Sequence, residues 1–335
     1  MRLKFYLYTV AISCIILSCK NNKRNQNLQK ESKQKTQLTA KDILGNSEYL
    51  AISYGGYRKT TRDIQPTIAE VKEDMKILYA MKIRILRTYN VQLAQAETIL
   101  KAIEELKSED PLFEMYVMLG AWIDCKNAWT NNAVDHQIES EENEGEINRA
   151  VALANKYPSI VKIIAVGNES MVNWAASYFV MPSEILKWVN HLQALKAAGE
   201  IPAETWITSS DNFAAWGGES VSYHTEDLAA LVKAVDYVSM HTYPFHDTHY
   251  NPAFWTDTFD EVSAQAPQAD VSATMARAAA YAQDQYASTK RYVASIDPGK
   301  AVHIGETGWA SIDNGFYGPD GSKAAGERQQ QLYFE

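Results

Sequence analysis

From Tyr49 onward, short runs of β-branched and aromatic residues alternate with longer stretches whose apolar residues recur at helical spacing. That alternation constrains the fold most, because strands that each lead into a helix pair in parallel through helical crossovers. Strands are expected near 49–54, 83–88, 114–120, 160–166, 204–209, 235–241 and 301–305. Helices are expected from Ile68 to Ala80, Ala94 to Leu106, Ser183 to Ala198 and about Val271 to Ala294, with Pro182 suited to the first turn of the third.

Such a chain folds either as an open doubly wound sheet or as a closed barrel. The Gly55-Gly56 pair after the first strand lacks G-x-G-x-x-G spacing, which counts against a dinucleotide-binding sheet. The strand ends favour a barrel, since nearly all carry residues unsuited to a core. They are Tyr54 and Arg58, Arg87 and Tyr89, Trp122 and Asp124, Asn168 and Glu169, Asp211 and Asn212, His241 and Tyr243, and Glu306 and Trp309. Polar groups converging from many strand ends are the active-site arrangement of a (β/α)8 TIM barrel, the α/β fold class expected here. Seven strands are legible. A loop with Gly315, Gly318 and Gly321 leads into what reads as the start of a helix at Lys323 to Glu335. The eighth strand is therefore expected beyond the end of a C-terminally truncated chain.

The first residues stand apart. Arg2 and Lys4 precede an apolar run from Phe5 to Leu17, the charged start and short greasy middle of an export signal, too short to span a bilayer comfortably. It ends in Leu17-Ser18-Cys19, which resembles the lipobox of bacterial lipoproteins. Residues 1–18 are read as a lipoprotein signal peptide, Cys19 as the lipid attachment site, 19–40 as a polar tether and 41–335 as the catalytic barrel domain. The expected location is a bacterial outer membrane, on its periplasmic or cell-surface side, with the lipid anchor as the only membrane contact. Cys125 is then the one thiol of the mature chain, leaving no intrachain disulfide and no Cys-based metal site.

Residues 1–40 hold eight Lys or Arg against one Glu, so the chain's net charge of -9 hides -16 on the remainder. A domain so acidic does not suit nucleic acid or anionic polymers, and a neutral ligand fits better. It is expected to act as a monomer.

Two carboxylates carry the chemistry. The apolar run Ile163 to Val166 breaks at Gly167-Asn168-Glu169, and Ile304-Gly305-Glu306 breaks in the same way. A carboxylate where a buried strand opens to solvent can keep a shifted pKa and still reach a ligand, as glycoside hydrolysis asks of its acid. One such Glu reads as a helix cap or an Arg partner; two, both beside Gly and aromatic residues, read as a catalytic pair. Strand neighbours alternate faces, so Arg87 shares a face with Tyr89 and is placed at the site, whereas Arg84 is not. His241, Thr242, His246, His249 and Asp247 form a cluster that a metal could use, but glycoside hydrolysis needs none. No metal and no cofactor are expected.

Val166-Gly167-Asn168-Glu169, Ile304-Gly305-Glu306-Thr307-Gly308-Trp309 and Ile85-Leu86-Arg87-Thr88-Tyr89 together resemble glycoside hydrolase family 17 over roughly Leu50 to Trp309. That family comprises β-1,3-glucanases of the retaining barrel clan whose acid and nucleophile follow strands four and seven. Ala310 stands where the family commonly has Pro. The resemblance implies Glu169 as general acid/base, Glu306 as nucleophile and a β-glucan polysaccharide of laminarin type as substrate, cut internally. Asn168 is expected to hold the 2-hydroxyl of the sugar under attack, and Tyr243 to hydrogen-bond Glu306. Trp309 and Trp122 lead the sugar platforms, ahead of Tyr54, Trp174, Phe213 and Trp216, with Asp211 and Asn212 as hydroxyl partners. Transglycosylation through the same covalent intermediate and non-catalytic glucan capture are the competing functions.

Overall fold

The computed structural model describes residues 38–250, 267–312 and 324–335, and all side chains among them except those of 248–250 and 267–270. The compact unit runs from Thr39 to Glu335.

It opens with α1 (Ala40–Ile43), β1 (Leu50–Ser53), α2 (Ile68–Ala80), β2 (Ile83–Arg87), α3 (Gln95–Glu109) and β3 (Tyr116–Ala121). A small hairpin follows, β4 (Cys125–Lys126) with β5 (Asp135–Glu139), then α4 (Asn143–Lys156), β6 (Val161–Asn168), α5 (Pro182–Ala197) and β7 (Trp206–Asn212). The rest comprises α6 (Glu226–Ala234), β8 (Val238–His241), α7 (Pro244–Tyr250), α8 (Pro267–Ile296), β9 (Val302–Glu306) and α9 (Glu327–Phe334). Local chemistry fixes several helix starts. Thr67 and Glu70 form a capping box at α2, Pro182 occupies the first turn of α5, and the Thr225 side chain accepts from Leu228 N at α6.

Seven strands form one parallel sheet in the order β1-β2-β3-β6-β7-β8-β9. The order never reverses. A doubly wound sheet reverses at its switch point, whereas a sheet that always adds its next strand on the same side curls toward closure as a barrel. This is a nearly closed (β/α) barrel, as the alternation in sequence implies. Among the described residues β1 and β9 each have one strand neighbour, and some of their apolar side chains stay open, Leu50 45%, Ile52 39% and Ile304 48% exposed. Every residue of β3, deep in the sheet, is buried.

Alternation along β6 sorts its side chains. Ile164 and Val166 join the large core against the helices, with Ile99, Leu100 and Ile103 of α3 and Ile185, Val189 and Leu192 of α5. Ile163 and Ala165 belong instead to a small cluster with Met118 and Tyr237. Pairing with β7 shifts register between Ala165 and Asn168, and Gly167 adopts φ 80° there. A bulge of this kind re-aims the side chains that follow it.

Candidate active site

Gly167 and Glu169 both have left-handed backbone, φ 80° and 47°. Glycine takes that conformation freely; a glutamate does so only where its surroundings hold it. Glu169 N donates to Ser210 O at 3.0 Å, and Asp211 Oδ2 accepts from Met171 N at 2.7 Å just beyond. Glu306 ends β9, and a Cβ on the preceding Gly305 would collide with Ser239 Oγ, so the glycine of that motif is required by strand-to-strand packing inside the barrel.

Arg87 ties the two motifs together. Its guanidinium pairs with Glu306 Oε1, donates to Asn168 Oδ1 at 2.6 Å and lies over the Tyr89 ring, 5.0 Å from its centroid. Burial pulls Arg87 below the ordinary arginine value, yet a guanidinium so basic stays charged. Tyr243 Oη donates to Glu306 Oε2 at 2.8 Å, the contact read from the sequence, and burial holds the phenol above its usual range. A charged donor and a neutral donor, one on each oxygen, hold this carboxylate in a single orientation.

His241 lies between the two glutamates. Its Nδ1 is 3.2 Å from Glu169 Oε1 and 3.6 Å from Glu306 Oε2, while Nε2 is 2.7 Å from Ser210 Oγ, itself 2.9 Å from Ser239 Oγ. Burial pushes the imidazole down to about 4, against the pull of Glu169, so the ring is neutral near pH 7. A carboxylate only accepts, which puts the ring proton on Nδ1 and leaves Nε2 to accept from Ser210. Because one nitrogen touches both carboxylates, they stand no farther apart than the sum of those distances. That limit lies at the bottom of the roughly 6.5–9.5 Å inverting range and admits the roughly 5–5.5 Å of retaining enzymes.

Beside Asn168 opens a groove of about 690 Å³ lined by Tyr89, Trp122, Asp124, Trp129 and Tyr178 among others. Trp122 Nε1 donates to Asp124 Oδ2 at 3.3 Å, and burial raises the Asp124 carboxyl above its ordinary value.

Arg87, Tyr89, Asn168, Glu169, Tyr243 and Glu306 therefore gather around one centre, with Trp122 at its groove. Four expectations are corrected. Tyr54 is packed in the large core and its hydroxyl donates to Asp74 at 2.6 Å. Trp309 is 4% exposed, packs with Phe245 and Met275, and donates to Ala324 O at 2.9 Å. Trp216 is fully buried, its indole N–H held by Ser239 O. Asp211 alternates away from Ser210, is fully buried, and spends its oxygens on the amides of Met171 and Asn212, leaving no place for a sugar hydroxyl. Its carboxyl is raised well above the usual range by burial. Asn212 is half-buried and caps Ala214 N, Phe213 is packed against the core, and Trp174 is exposed. Arg84 turns to the carbonyls of Tyr79 and Ile83, away from the site.

His241, a polar strand-end residue that the sequence also groups in a candidate metal cluster, is not joined there by its neighbours: Thr242 donates to Gln285, whose amide donates to Asp247. The His249 side chain lies outside the described residues, as do Cys19, the signal, the tether to residue 37 and the glycine loop at 315–321. Among the described residues no group of His, Cys, Asp and Glu is placed to hold a metal ion. The signal for His241 was in the sequence as polar residues at period two inside buried strands, Ser239 with His241 and Thr208 with Ser210.

A parallel barrel that sets two carboxylates side by side at its strand ends, with an aromatic-lined groove reaching the neighbouring Asn168, is equipped for glycoside hydrolysis. Comparison with known proteins reaches the same class. Residues 51–335 match the model of the BtgE/BtgC glycoside hydrolase domain, and the chain belongs to that family. Among solved structures, an endo-laminarinase from Formosa is 62% identical with a TM-score of 0.85, the match covering 89% of this chain and 75% of that one. A plant beta-glucan endohydrolase is 15% identical with a TM-score of 0.48, covering 85% of this chain and 82% of that one. The comparison with curated proteins returned no match.

Proposed function

We propose that this glycoside hydrolase cuts β-1,3-glucan of laminarin type internally and with retention, with Glu169 as acid/base and Glu306 as nucleophile. The observation that carries the substrate is the 62% identity with an endo-laminarinase. In its protonated form Glu169 gives its proton to the glycosidic oxygen while the Glu306 carboxylate attacks the anomeric carbon. The C–O bond to the leaving sugar breaks as an ester to Glu306 forms. Water then attacks the same carbon, Glu169 takes its proton, and Glu306 leaves as carboxylate. Arg87 and Tyr243 hold Glu306 for in-line attack, and Asn168, oriented by Arg87, meets the 2-hydroxyl of the sugar under attack.

Reducing-end release from laminarin tests the reading: Glu169→Gln and Glu306→Gln should each abolish it, and undiminished activity in either variant would refute the role assigned to that residue. We also read Cys19 as a lipid attachment site. Cys19→Ala should move the protein from the membrane to the soluble fraction, and unchanged membrane retention would sink that part.

A further inference from the structure

The groove beside Asn168 has a wall that the bond-breaking chemistry does not use. Hairpin β4–β5 lies just past the carboxyl end of β3, and its turn holds Asn127 at φ 64° and Trp129 at φ 61°. Asparagine tolerates that region; tryptophan rarely enters it and does so at a cost in strain. Side chains brace the turn, Asn127 Nδ2 donating to Ala133 O and Thr130 Oγ1 to Asn127 O, both at 2.8 Å. What the strain delivers is an indole that is 63% exposed. One face rests on Tyr178, ring centroids 4.9 Å apart and planes 23° apart, and Tyr178 in turn sits 5.3 Å from Trp122. The three rings run as one surface from a strand end to the hairpin tip, along the groove that Asn168 also lines. Packing accounts for Trp122 and Tyr178. Trp129 also packs on Tyr178 and interacts through its side chain with the Asp124 carboxylate, but neither contact accounts for the large part of it left facing solvent in a strained conformation.

We propose that the Trp122–Tyr178–Trp129 wall is a glucosyl-binding subsite on the glycone side of the scissile bond, and that it favours β-1,3 chains by the direction in which they leave the sugar under attack. This rests on the hydrolase reading above, in which Asn168 meets that sugar's 2-hydroxyl. The next carbon round the ring carries O3. In a β-1,3 chain the following glycone unit hangs on O3, so it leaves on the Asn168 side and enters the groove. In a β-1,4 chain it hangs on O4, one carbon farther round, and is carried past the wall. The C–H face of a glucosyl unit stacks on the rings, while Asp124, half-buried on the groove, is placed for its hydroxyls.

The test compares wild type, Trp129→Ala and Trp129→Phe on laminarin, on laminari-oligosaccharides of graded length and on cello-oligosaccharides. Trp129→Ala should lower kcat/KM roughly tenfold on laminari-oligosaccharides long enough to reach the wall, mainly through KM. It should leave the shortest hydrolysed chain unaffected and move the cut toward the non-reducing end, and Trp129→Phe should recover most of the loss. Because Trp129 is largely in solvent, the unfolding temperature of both variants should stay near that of wild type. Equal kcat/KM for wild type and Trp129→Ala at every length overturns the subsite while leaving the hydrolase standing. So does a loss spread evenly over all lengths, and preference for cello-oligosaccharides overturns the linkage argument. A wild type inert on laminarin overturns the subsite together with the reading beneath it.

Discussion

Arg87 and Glu306 form an ion pair whose side chains are 6% and 8% exposed, at the bottom of the open end of the barrel. Removing one partner of such a pair strands the other charge and costs about 3–5 kcal/mol. Arg87→Ala should therefore unfold several degrees earlier and lose at least about a hundredfold in kcat/KM. Arg87→Lys keeps the charge but cannot address Glu306 and Asn168 together, so it should recover stability better than activity. Thermal unfolding and steady-state kinetics on the same preparations check the split. A lysine variant as active as wild type would mean that the fork geometry is unimportant.

His241 makes stability depend on pH. Its folded value of about 4 lies below the ordinary 6.5, so between these values the unfolded chain binds a proton that the folded one excludes. Stability is complete above about pH 6.5 and falls as pH drops toward 4, by on the order of 3 kcal/mol from this group. His241→Gln cannot titrate there and should flatten that part of the unfolding-temperature profile. Parallel profiles for the two proteins would show that acid acts elsewhere.

Glu146 is a second buried carboxylate with a precise task. It is 3% exposed, and its Oε1 accepts from Val91 N at 2.6 Å and Trp122 N at 3.1 Å, joining the loops after β2 and β3. Glu146→Ala leaves two inward N–H groups without that acceptor, at roughly 1–3 kcal/mol each. The expected result is a clear drop in unfolding temperature and a raised KM, since Tyr89 and Trp122 ride on those loops. Glu146→Gln keeps an acceptor oxygen and should restore most of both. Wild-type KM in the alanine variant would show that the groove does not depend on this tie.

What the sequence made legible follows from periodicity. All seven sheet strands and the helices Ile68–Ala80 and Pro182–Ala197 stood out because a change of period marks each element. Glu169 and Glu306 stood out because glycine interrupts an apolar run at each. Direction was harder to read. Tyr54, Trp309 and Asp211 do sit at strand ends, but whether a side chain there turns to the mouth or back to the helices depends on parity and on what packs beneath. Trp309 finds Phe245 and Met275 from other segments, a meeting that local sequence does not announce. Hairpin β4–β5 was missed for a related reason: Cys125–Lys126 is two residues long and Asp135–Glu139 is mostly polar, so neither carries a strand's signature. His241 became interpretable only when four neighbouring strands brought Ser210, Ser239 and both glutamates around it.

The left-handed backbone at Glu169 sets heat resistance against turnover at a single position. Glycine or asparagine would rest at φ 47° with less strain, so a search for thermostable variants that ignored activity would be drawn toward them. With Glu169 as the proposed acid/base, the most durable sequence for this loop would then be an inactive one. Any programme that hardens the protein has to hold residue 169 fixed and look for its gains elsewhere.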